Sequence, residues 1–220
     1  NVHMGQLDLD IFPNMPTDDN VEHEFLFKIE NIWDPVFMFK EIFKIDFNHY
    51  EDYYPEVNII FNTNYNKDKN VMVSERADIK KGVILDASNG PILINNDVTV
   101  DIGALLQGPL YIGDHSYISL GAKIRPGTMI GENCKVGGEV SNSIFYANSN
   151  KVHDGFIGDS FIGEWVNIGA GTNNSNLKNN YSNIKFSFNG KDSIDTGHQF
   201  LGSMIGDFTK IGISSMLNSG

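Results

Sequence analysis

The chain has one cysteine, Cys134, among 220 residues. No internal disulfide can form, which suits a reducing compartment, and a lone Cys inside a repeat reads as a small hydrophobe. No apolar run approaches the roughly 18 residues of a membrane-spanning helix, and no charged, apolar and small-residue leader opens the sequence. The expected location is therefore the cytoplasm. Basic residues are scarce: 16 Lys and Arg against 28 Asp and Glu give a net charge of -12. That surplus argues against nucleic acid and anionic membrane as partners. It is concentrated in residues 1–80, which hold 16 acidic and 7 basic side chains. A small anion can still be held by a local group of Lys, Arg and backbone N–H donors. Convergent histidines are missing too. His115, His153 and His198 lie 38 and 45 positions apart, unlike the close pair of a three-histidine zinc site, so no metal is expected.

What is present is a period of six. Val100, Leu106, Ile112, Ile118, Ile124, Ile130 and Val136 follow one another at every sixth position. A helix would repeat near 3.6 and a half-buried strand at 2, so a sustained six indicates one short unit stacked many times. The expected fold is all-β, a parallel β-helix of hexapeptide repeats, whose aliphatic residues point inward and stack on the coils above and below. Gly follows the aliphatic residue at Gly113, Gly131 and Gly137, where the chain is expected to turn with φ > 0. The signal resumes at Ile157, Ile162, Ile168, Leu201, Ile205 and Ile211.

Residues 1–20 show no lasting period, and Pro13 and Pro16 exclude a regular helix there. An aromatic, acidic stretch follows, with Phe37, Ile42 and Ile45 at helical spacing. The pattern predicts a helix opening at Asp34 and Pro35, with Pro in its first turn. Residues 62–70, NTNYNKDKN, read as a linker. The chain divides into a small irregular, partly helical segment, 1–70, and a coil, 71–220. The beat breaks twice, over 137–156 and 172–199. The second break is too polar for core and too long for a corner, and is expected to reach across to another subunit.

The residues around the breaks carry a resemblance. SNKVHDGFIGDSFIGEWVNIGAGTNNSNLKNN, residues 149–180, with GGEVSNSIF at 137–145, resembles the acetyltransferase domain of the bifunctional enzyme that makes UDP-N-acetylglucosamine. It is nearest the divergent branch of sugar nucleotidyltransferases. The resemblance covers about residues 82–220. It implies a left-handed coil, a homotrimer, acetyl-CoA as co-substrate and an amino-sugar phosphate, glucosamine 1-phosphate, as acceptor.

Residue by residue, the resemblance makes His153 the general base, Asn176 the contact to the amine and acetyl group, and Ala170 the backbone oxyanion donor. Arg125 corresponds to the phosphate-binding arginine, Glu139 to the substrate-binding glutamate and Ser203 to a coenzyme A contact. Departures are visible. Phe156 and Leu177 replace two tyrosines and Ser141 replaces a lysine, so Lys151 or Lys178 would have to supply the missing positive charge. Residues 1–70 resemble at most the tail of a nucleotidyltransferase domain, and without its Gly-rich loop uridylyl transfer is not expected. The alternative is a trimerisation scaffold that has lost acetylation, and the acceptor can also be another amino sugar or a sugar nucleotide.

Overall fold

With a strand and a corner in every six residues, three units close one triangular coil, and successive coils pair their strands in parallel. The computed structural model describes residues 27–49, 69–187 and 193–220; the readings for 1–20 and most of the linker lie outside them. It is a left-handed parallel β-helix with, among the described residues, one short helix. Its three faces are sheets of seven, seven and five strands. The first strand is Val71–Val73, at the expected start of the coil.

The inward positions form three columns. On the first face Val73, Ile94, Ile112, Ile130, Phe145, Ile162 and Ile205 stack in register. On the second, Ile79, Val100, Ile118 and Val136 lead to Lys151. On the third, Leu85, Leu106, Ile124, Val140 and Ile157 do the same. The beat thus survives the first break, moving from Val136 to Val140 and Phe145 because corners shorten. Cys134 is fully buried among these columns, and burial pushes its thiol up to about 11.

The glycines work differently from expectation. Gly113 and Gly131 have ordinary φ, but their Cα atoms face the adjacent coil: a Cβ on Gly113 would lie 2.8 Å from the Gly131 carbonyl carbon, and one on Gly131 would overlap the Tyr146 oxygen. A Cβ on Gly137 would likewise overlap the Val152 carbonyl. The left-handed turn comes two residues after Gly113 and Gly131, at His115 (φ 59°) and Asn133 (φ 54°).

The predicted helix spans Asp34–Asn48 with Pro in its first turn. At 1.5 Å per residue it is about 22 Å long, enough to cross about five strands spaced 4.8 Å apart. The outward column of the first face is apolar throughout: Met72, Leu93, Tyr111, Met129, Ile144, Phe161 and Met204. The helix covers that column. Phe43 and Phe47 pack with Leu93 at the early coils, while Trp33 and Phe37 pack with Ile184, Leu201 and Met204 at the late ones.

The long excursion corrects one expectation. Its described residues, 175–187 and 193–203, follow the strand Asn173–Asn174 and precede Met204–Ile205, and they fold back on this chain's own helix. Ile184 and Leu201 are fully buried there, so the segment has a core of its own and Leu201 belongs to it, not to the inward column. His198 stacks on Phe37 with ring centroids 3.8 Å apart.

Candidate functional site

Where the second face turns into the third, four residues make the corner, as in 101–104, 119–122, 152–155 and 169–172. Between the strands Lys135–Val136 and Glu139–Ser141 there are two, Gly137 and Gly138. The missing pair is the counterpart of Ile102-Gly103, Leu120-Gly121 and His153-Asp154. The coil is therefore notched at one corner, with Leu120 on one side and His153 on the other, both exposed. Because the GGEV string cuts the corner, the His153 turn stands uncovered.

Beneath the notch lies Lys151, which takes the aliphatic place in the second column and is 2 % exposed. Its Nζ donates to the carbonyls of Gly137 (2.9 Å), His153 (2.8 Å) and Gly155 (2.8 Å). Burial pushes its ammonium down to about 8, with nearby Asp154 acting in the opposite direction. The lysine is enclosed by the coil and is not placed to meet a phosphate outside it, contrary to the role anticipated for it.

Arg125 and Glu139 come together on the third face, Arg125 Nη1 3.1 Å from Glu139 Oε1. Glu139 is paired in register with Lys123 on one side and Phe156 on the other. Both line a groove of about 460 Å³ with Lys123, Leu105, Gln107 and Asp86. The Asp86 carboxyl is held below the usual range by hydrogen bonds from Ser88 and Gln107. The groove thus offers two cations and two carboxylates over an apolar floor, a surface suited to a phosphate and hydroxyls at once.

Ala170 sits one coil beyond His153 on the same edge: Gly171 N–H donates to the Asp154 carbonyl (2.8 Å) and Ser214 N–H to that of Ala170 (2.7 Å). Asn176 lies on the opposite edge of the third face, where its Nδ2 donates to Asp159 Oδ2 (2.6 Å). Asn142 Nδ2 holds the other oxygen of this carboxylate at 2.7 Å. Ser203 is on that far edge too, its N–H donating to Ser160 Oγ at 2.9 Å. Lys178 donates one ammonium hydrogen to the Asn183 carbonyl, 2.9 Å away. Within one chain, then, His153 and Ala170 share one edge, Asn176, Ser203 and Lys178 the other, and Arg125 and Glu139 lie between. Among the described residues no three His, Cys, Asp or Glu side chains converge as metal ligands would.

No protein-family profile matches the chain. Individual proteins do. A bifunctional sugar-1-phosphate nucleotidylyltransferase/acetyltransferase of Sulfurisphaera tokodaii is 28% identical over 171 residues, 75% of this chain and 42% of that protein. The uncharacterized acetyltransferase YaiX of Escherichia coli O6:K15:H31 is 30% identical over 156 residues, 70% of this chain and 65% of its own. The bifunctional protein GlmU of Bordetella parapertussis is 37% identical over 90 residues, 38% of this chain and 20% of that protein.

The chain is similar to part of the bifunctional sugar-1-phosphate nucleotidyltransferase/acetyltransferases. The similarity lies with their acetyltransferase part, and the chain spans less than half the length of these two bifunctional relatives. Sequence reasoning missed Asp159, which orients Asn176, and the enclosure of Lys151. Both signals were in the string: Asp159 follows Ile157-Gly158 at a corner, and Lys151 lies six residues before Ile157.

Proposed function

We propose that the chain is an acetyl-CoA-dependent N-acetyltransferase acting on an amino-sugar phosphate, glucosamine 1-phosphate, on the way to UDP-N-acetylglucosamine. The observation that carries this is the cut corner, which leaves the His153 imidazole exposed where the chain turns into the face that bears Arg125 and Glu139. The His153 ring takes a proton from the sugar ammonium-derived amine as its nitrogen attacks the thioester carbon. A C–N bond forms, the C–S bond breaks, and the leaving thiolate collects the proton from the imidazolium. The Ala170 N–H is the donor to the oxyanion. Arg125 receives the phosphate. Its exposed pairing with Glu139 is worth at most about 1 kcal/mol, so a dianion can capture the guanidinium and leave Glu139 for sugar hydroxyls. Asn176, with one amide hydrogen fixed by Asp159, keeps its side-chain oxygen as an acceptor for the amine.

A single small ligand cannot touch both edges of the third face. The reading therefore includes a homotrimer in the cytoplasm, in which the His153 edge of one copy meets the Asn176 edge of the next, with Ser203 toward coenzyme A. Residues 1–70 belong to this reading as the remnant of a nucleotidyltransferase-like domain and 71–220 as the acetyltransferase. His153→Ala is expected to lower thioester-dependent acetylation of glucosamine 1-phosphate by roughly 10²- to 10⁴-fold; an unchanged rate rejects the assignment.

The scaffold reading is favoured by one feature: Lys151 is enclosed, so it does not make good the lost lysine at Ser141. Calorimetric titration with coenzyme A separates the two readings, since a scaffold gives no saturable heat.

A further inference from the structure

Lys151 is the side chain whose position the proposed chemistry leaves unused. Every other residue of its column from Ile79 to Ile211 is aliphatic, and a long cation there has to be explained. The inner corner positions that hold Ala104 and Ala122 in earlier coils hold Gly138 and Gly155 here; a Cβ on Gly138 would lie 2.7 Å from Lys151 Nζ and 2.7 Å from the Gly155 oxygen. The methyl group missing at Gly138 thus makes room for the ammonium, while a Cβ on Gly155 would overlap the Thr172 oxygen of the next coil. Its three acceptors come from both sides of the notch, Gly137 from the cut corner and His153 and Gly155 from the turn below it. On its notch side the turn has no neighbouring tip, the Gly171 N–H holds the Asp154 carbonyl on the other side, and the ammonium grips the turn from inside.

We propose that Lys151 is a positioning residue that fixes the turn presenting His153, by tying the His153 and Gly155 carbonyls to the Gly137 carbonyl across the notch. The proposal rests on the reading of His153 as general base, and extends it to a residue that never meets substrate. A base displaced by about 1 Å loses on the order of 10²-fold in rate, while binding surfaces on the groove stay as they were.

The test compares the full chain with Lys151→Met, which keeps the length and apolar stem of the side chain and removes the charge. Two measurements are made: steady-state acetylation of glucosamine 1-phosphate, and amide hydrogen exchange by NMR. The Glu139 N–H donates to Gly155 and the Gly171 N–H to Asp154, so both report on the turn. The expected result is exchange at Glu139 and Gly171 faster by about tenfold or more, with Gly113 and Gly131 unchanged, and kcat lower on the order of 10²-fold with both KM values unaltered. Unchanged exchange at Glu139 and Gly171 overturns the proposal, as does a loss carried by KM alone. If the wild-type chain transfers no acetyl group, the functional reading has failed and the exchange result alone decides the clamp. Should Lys151→Met not fold, the wild-type ammonium resonance decides: a slowly exchanging Nζ–H signal supports the clamp, and fast exchange with water rejects it.

Discussion

Gly131, Gly103 and Gly206 each follow an isoleucine, and as text the three pairs are the same. In the structure they differ. A Cβ on Gly131 would overlap the Tyr146 oxygen, Gly103 has φ +69° with nothing within 4 Å, and Gly206 has neither constraint. Gly131→Ala should cost about 3 kcal/mol or more through overpacking, Gly103→Ala about 1 kcal/mol through left-handed strain, and Gly206→Ala less than about 0.5 kcal/mol. Urea denaturation of the three variants checks the order; equal losses would mean that coil contact and φ are not what hold these glycines. Lys151 supplies a second prediction. Its folded value is about 8 against 10.5 in the unfolded chain, so between those values the unfolded chain binds more protons, and stability rises with pH. Wild type should gain on Lys151→Met from about pH 8 to 10.5 by roughly 3 kcal/mol, with no further change below pH 8. A difference that stays flat across that window would show the ammonium to be unperturbed.

At the scale of elements, the helix does for the first face what a neighbouring sheet would do elsewhere. Phe43 is 6% exposed, packs at 5.3 Å and 6.0 Å centroid separation on Phe39 and Phe47, and meets Tyr111 edge-on. Phe43→Ala should cost about 3–5 kcal/mol and free an apolar face that then binds hydrophobic dye; a small loss with no dye binding would show that the helix is dispensable. The helix itself was legible, because Asp34, Pro35 and the aromatic spacing are local signals. Where it docks was not. The inward beat was read at one position in six, whereas the partner surface is written in the residue just before it, from Met72 and Leu93 to Met204, at spacings that only strand register reveals. The cut corner hid in the same way: Val140 and Phe145 carry the columns on, but four and five residues apart they no longer look periodic. Of the candidate site, His153 borders the notch, Arg125 and Glu139 line the groove, and Ala170 lies one coil beyond His153. The two edges of the face depend on which coil stacks on which, and no short string records that; the Asp159 support and the enclosure of Lys151 were marked only by their offsets from Ile157.

For the whole molecule, the three faces differ in what they offer to a neighbour. The helix covers the first. The second presents Asp78, Thr99, Tyr117, Lys135, Asn150, Asn167 and Lys210 outward, a surface that gains little by leaving water. The third presents Ile84 and Leu105, and the corner leading into it Ile102 and Leu120; all four are exposed, Leu120 by 69%. Packing these apolar tips against the third face of another copy removes them from water and sets the His153 edge against a foreign Asn176 edge, which one chain cannot do for itself. A closed ring of three satisfies every such edge, whereas an open pair leaves one of each unpaired. Sedimentation should therefore give three times the chain mass of 24.5 kDa. Leu105→Glu places a carboxylate in the contact and should release folded monomers, with unchanged far-ultraviolet circular dichroism and acetylation lost because the clefts are gone. A wild-type monomer that acetylates at full rate would mean that one chain completes the site alone, and the two-edge arrangement would have to be abandoned.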